Sequence, residues 1–108
     1  MRIILDHNAP APLRYWFVGH TVEIAYERGW AELTNGDLLA AAEADGFDVM
    51  ITTDQRIRYQ QNLAGRKLAL LVIDTNNWTR IRKCRALVMA RLEECALGSY
   101  VEVKIPKP

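Results

Sequence analysis

The chain has 108 residues, half of them apolar and a quarter charged, and a formal net charge of +1. One domain is expected from that length, and the apolar share excludes an intrinsically disordered chain. No apolar run approaches the roughly 20 residues that cross a bilayer, and the acid at position 6 comes too early for a secretory leader.

Residues 2–5 form a short β-branched apolar run, closed by Asp6-His7-Asn8. Pro10 and Pro12 suit the first turn of a helix, where a missing N–H costs nothing, and predict a helix over 11–17. After the Gly19-His20 turn, residues 21–25 read as a second strand with Val22 and Ile24 on one face. Residues 26–34 read as a loop. Thr34 and Asp37 then have capping-box spacing ahead of an Ala- and Leu-rich helix, 37–44, which stops at Asp45-Gly46. Residues 48–53 give a third strand, and residues 54–66 are polar with room for one helical turn. Residues 68–73 show no alternation, as expected of a strand buried between two helical layers. A long helix is predicted over 78–97, with Ile81, Cys84, Val88, Leu92 and Cys95 on one face. The two cysteines would stand about 16 Å apart on it, beyond disulfide reach, so a reduced, cytoplasmic protein is expected. Gly98 ends the helix, and residues 100–105 alternate as a last strand. Strands separated by helices predict a three-layer α/β domain with a mainly parallel five-stranded sheet flanked by helices.

Charge is unevenly spread. Residues 1–54 carry three basic side chains and nine acids, whereas residues 55–85 carry eight basic side chains and only Asp74 as an acid. Such a split fits an anionic partner for the basic segment, and it fits equally well the solvated faces of ordinary helices.

In an open parallel sheet, ligands bind outside the carboxyl ends of the strands, beside the switch point. Asp6 follows strand one and Asp54 follows strand three; these strands are neighbours if strand two lies on the far side of strand one. Adjacent strands are about 4.8 Å apart, so both carboxylates would share a crevice, with Asp37 in reach from the next helix. Three carboxylates that close need a proton or a cation between them, and Mg²⁺ or Mn²⁺ suits oxygen ligands. Each acid also has a purely structural use. Asp6 can close an Asx-turn, Asp37 can be the third-position acid of the capping box, and Asp54 can cap the turn that follows it.

The stretches Ile4-Leu5-Asp6-His7-Asn8-Ala9-Pro10, Gly29-Trp30, Asn35-Gly36-Asp37-Leu38-Leu39, Phe47-Asp48-Val49-Met50-Ile51-Thr52-Thr53-Asp54 and Tyr59-Gln60-Gln61-Asn62-Leu63-Ala64-Gly65 come in an order and spacing that covers nearly the whole chain. In these the chain resembles the small PIN-like proteins, relatives of the PIN-domain nucleases that include VapC-type toxins. The resemblance implies a PIN-like fold and metal-dependent RNA cleavage by a cluster at Asp6, Asp37 and Asp54. It also implies a small antitoxin-type protein as a partner. His7 and the Gln55-Arg56 pair stand where family members commonly have acids, so a fourth carboxylate is not evident, and Asp74 is the substitute candidate.

On that expectation, ions held by Asp6 and Asp54 would activate water and neutralise the scissile phosphate, with Asp37 completing the site. Asn8, Arg56, Arg58, Tyr59, Gln60, Gln61 and Asn62 would line the substrate path for single-stranded RNA, and Arg80, Arg82, Lys83 and Arg85 would extend it. The competing expectation is a catalytically impaired PIN-like module that acts by binding RNA or protein. With Trp16, Trp30 and Trp78 in so small a domain, a homodimer is also expected, and no membrane partner.

Overall fold

The computed structural model describes residues 1–60 and 63–107, apart from the side chains of Tyr59 and Gln60. Five strands form one all-parallel sheet: β1 (Arg2–Leu5), β2 (Thr21–Ile24), β3 (Val49–Thr52), β4 (Ala69–Ile73) and β5 (Tyr100–Val103), in the order β2-β1-β3-β4-β5. The expected α/β architecture is thus present. The chain starts near the middle, steps outward once, then returns past β1 to build the other half. That reversal makes the gap between β1 and β3 the switch point, with Leu5 opposite Ile51.

The sheet is buried on both faces, which explains why β3 and β4 read as unbroken apolar runs. On one face Ile3, Leu5, Val49, Ile51, Leu71 and Val103 pack with Leu13, Phe17, Ile81, Val88 and Leu92. On the other, Ile4, Met50, Leu70 and Val72 pack with Leu38, Leu39, Ala42, Phe47 and Ile57. Helix α1 (Asn35–Ala44) and the single turn α2 (Ile57–Gln60) therefore cover one face, and α3 (Trp78–Ile81) with α4 (Arg85–Glu93) cover the other.

Several expected boundaries move. The predicted helix 11–17 is a 3-10 turn, Ala11–Tyr15, whose amides bond three residues back, Leu13 to the Pro10 carbonyl at 3.1 Å and Trp16 to the Leu13 carbonyl at 3.0 Å. A second 3-10 turn, Tyr26–Arg28, occupies the expected loop. Thr34 is the residue before α1 but its hydroxyl makes no capping bond, so the capping box is not formed. The predicted helix 78–97 is broken: a 3-10 turn at Arg82–Cys84 separates α3 from α4, and Cys84 leaves helical geometry at φ −119° and ψ 32°. On both sides of the break the apolar side chains meet the same core, Ile81 from α3 and Val88 and Leu92 from α4. Arg91 of α4 reaches the outer side of β5, donating from Nε and Nη2 to the Glu102 carbonyl at 2.9 and 2.7 Å. Both cysteines are free thiols.

Candidate functional site at the switch point

The end of β1 is held by its own acid. Asp6 is 3 % exposed. Its Oδ1 accepts the amides of Asn8 and Ala9 at 3.1 and 3.0 Å, and its Oδ2 accepts the hydroxyl of Thr52. These three bonds use most of the roughly four acceptor positions of a carboxylate. Burial pushes the Asp6 carboxyl above its ordinary range; the Thr52 hydroxyl and the two amides act in the opposite direction.

Thr52 is fully buried at the end of β3, and the same hydroxyl that donates to Asp6 accepts the amide of Asp54 at 3.0 Å. One side chain thereby couples the ends of the two neighbouring strands. Asp54 continues the chain of bonds: its Oδ1 accepts the Arg56 amide at 3.0 Å and its Oδ2 accepts Asn35 Nδ2, also at 3.0 Å. Asn35 opens α1, so the helix is moored to the same edge, with a second tie from the His7 ring to the Leu33 carbonyl at 3.2 Å. Both structural uses foreseen for these acids are realised: Asp6 closes an Asx-turn, and Asp54 orders the turn into α2.

Asp37 is carried on this first turn but is exposed. The three predicted acids therefore belong to one end of the sheet without forming a cage. Among the described residues, no three His, Cys, Asp or Glu side chains are placed to share a metal ion. The donor set as arranged does not fit a resident divalent cation, because Asp6 is buried with its oxygens engaged and Asp37 is exposed and completes no group of three with Asp6 and Asp54.

Above this network lies an open cleft of about 440 Å³ lined by Asn8, Thr53, Asp54, Gln55, Arg56, Thr75 and Asn76. It spans the exits of β1, β3 and β4 and is lined mainly by amides and hydroxyls. Arg56 supplies its cation; that side chain is 77 % exposed and its Nε is 3.6 Å from Asp54 Oδ1. Of the predicted substrate residues, Asn8 and Arg56 are thus in the cleft wall. Arg58 is not: it pairs with Glu102 at 2.9 Å in an adjoining hollow that shares Gln55 and Arg56 with the cleft and that Asp74 and Tyr100 also line. Asp74 is taken up structurally, accepting the Ile105 amide at 2.9 Å. Gln61, Asn62 and the side chains of Tyr59 and Gln60 lie outside the described residues. Sequence reasoning missed Thr75 and Asn76, and treated Asn35, Thr52 and Thr53 only as parts of motifs. The strand-end rule that found Asp6 and Asp54 finds Thr75 and Asn76 when applied to β4.

No family model, no curated protein and no solved structure matches this chain.

Proposed function

We propose that this chain is a PIN-like module that binds single-stranded RNA across the switch-point cleft without holding a catalytic metal cluster of its own. The observation that carries this reading is the contrast between the two layers of the site. The inner layer, Asp6–Thr52–Asp54–Asn35, in which Asp6 and Thr52 are buried and Asp54 also reaches the cleft wall, engages its carboxylates with amides and a hydroxyl. The outer layer offers Asn8, Thr53, Gln55, Thr75, Asn76 and the exposed Arg56. Side-chain amides and hydroxyls hydrogen-bond sugars, phosphates and base edges, and an arginine matches a phosphate with its planar fork. The test is fluorescence anisotropy with a labelled single-stranded RNA. Arg56→Gln and Asn76→Ala each weaken binding several-fold and leave the fold intact. Unchanged affinity in both variants, or no binding at low salt, overturns the reading.

A second reading, a Mg²⁺- or Mn²⁺-dependent ribonuclease of toxin type with an antitoxin partner, is favoured by one feature. Asp54 lines the cleft with a carboxylate that accepts two hydrogen bonds among the described residues, one hydroxyl away from Asp6. Under this reading millimolar Mn²⁺ raises the melting temperature of the wild type and leaves Asp54→Asn unmoved, since a ligand of the folded state stabilises it. No rise, together with RNA left intact, removes the nuclease and keeps the binding module.

A further inference from the structure

The cations of this chain fall into two groups. Arg2, Arg14, Arg28, Arg56, Arg58, Arg66 and Arg91 each have a carboxylate within 4.0 Å. Among the described residues, Lys67, Arg80, Arg82, Lys83, Arg85, Lys104 and Lys107 form no such ion pair. Three of this second group, Arg80, Lys83 and Lys107, surround a hollow of about 210 Å³ together with Cys84 and Pro106.

Its place in the fold connects it to the cleft. The Asp74 amide donates to the Val103 carbonyl at 3.0 Å, and Asp74 Oδ1 accepts the Ile105 amide, so residues 105–107 leave the sheet at the same carboxyl edge. Thr75 and Asn76 line the cleft, Asn77 caps α3, and Arg80 follows on that single turn. Arg80 Nη2 donates to the Ile105 carbonyl at 3.0 Å, which fixes the guanidinium against the outgoing chain. Its Nε is buried and meets no acceptor among the described residues. Three cations that lack a carboxylate partner and share one hollow favour an anionic occupant.

We propose that this hollow is a phosphate subsite, in which Arg80, Lys83 and Lys107 hold a backbone phosphate of the RNA strand leaving the cleft. The inference rests on the proposed RNA-binding function and extends it by one subsite. Phosphodiester backbone is the better match than an acidic protein segment. Protein interfaces are anchored by buried aromatic or aliphatic side chains, and none of the exposed large hydrophobics, such as Tyr15, Val18, Tyr26 and Leu97, lines the hollow. Backbone recognition requires only cations along the path.

The experiment is a residue-resolved NMR titration with single-stranded RNA of about twelve nucleotides, a length typical of one single-strand binding surface. It is paired with the salt dependence of affinity in the wild type and in the Lys83→Gln/Lys107→Gln double variant. Both lysines are exposed, so the variant folds. The expected result is perturbed amides both at the cleft and around Arg80, Lys83, Cys84 and Lys107. The slope of log affinity against log salt falls by up to about 0.7 in the variant, the share of the single phosphate charge that the subsite neutralises. Perturbation at the cleft alone, with an unchanged slope, overturns the subsite and leaves the cleft standing. Perturbation around the hollow alone keeps the subsite and removes the cleft from the proposed function. No perturbation anywhere overturns both. Equal occupancy of the hollow by polyglutamate overturns the RNA assignment in favour of an acidic protein segment.

Discussion

Thr52 shows how much one buried hydroxyl can organise. It satisfies a carboxylate on one side and an amide on the other, both at strand ends that no ladder partner reaches. Thr52→Val keeps the shape and deletes both bonds, leaving an acceptor and a donor unmet in a dry place. The expected loss is about 2–4 kcal/mol of folding stability, read from urea unfolding. A loss under about 0.5 kcal/mol would show that the link is dispensable. Asp6 adds a pH dependence with a definite sign. Its native carboxyl sits above the ordinary 3.8, so the folded chain holds that proton more tightly than the unfolded one. Stability from this group is fully present below the unfolded value and is lost as pH rises through the native one. Wild type therefore loses stability relative to Asp6→Asn as pH rises out of the carboxyl range, and a pH series of urea curves on both proteins measures the gap. A wild type that holds or gains stability relative to Asp6→Asn as pH rises contradicts the assignment. At this scale the acids at positions 6 and 54 were legible, because charge at a strand end is visible in a sequence. Their saturation by neighbours was not, since it depends on where the amides of residues 8, 9 and 56 turn.

Among the elements, the strands were the most legible part. Runs such as 68–73 are apolar throughout because both faces are covered, and no surface requirement blurs the pattern. Helices were harder. The apolar repeat of residues 81–95 continues through the break at Cys84, so periodicity alone joined α3 and α4 into one rod. The turn that leads into β5 is better specified. Gly98 has φ +71°, and a Cβ there would stand 2.7 Å from the Arg66 carbonyl oxygen. Backbone, not a movable side chain, is the obstacle. Gly98→Ala combines left-handed strain with that overlap and is expected to cost about 2 kcal/mol or more, seen as a lowered urea midpoint at unchanged slope. A neutral outcome would mean that the segment around Arg66 yields freely.

Across the whole molecule, the acid-rich first half and the basic second half find different solutions. In the first half, Arg2 and Arg28 bracket Asp45 at 3.0 and 2.6 Å and Glu23 at 3.3 and 3.2 Å, fastening the end of α1 to the β1–β2 edge. The Arg2 guanidinium, with Arg28 beside it, holds the Asp45 carboxyl below the usual range. Because these groups are accessible to solvent, their attraction is screened by salt. Asp45→Asn is expected to melt below the wild type at low ionic strength, with the difference shrinking as salt is added. A difference independent of salt would assign the effect to packing. The uneven charge was plain in the sequence. Which cations are neutralised was not, because pairs such as Arg58 with Glu102 join residues far apart in order.

The strand order also constrains how the chain is made. β1 is an interior strand whose two neighbours are synthesised at very different times: Leu5 pairs with Ile24 soon after, but with Ile51 only much later. At about 5–20 residues per second, Ile3, Ile4 and Leu5 travel out of the ribosome with one side bare for a few seconds. During that interval the exposed strand edge is open to pairing with other chains, a hazard set by the order of synthesis and not by the equilibrium of the finished fold.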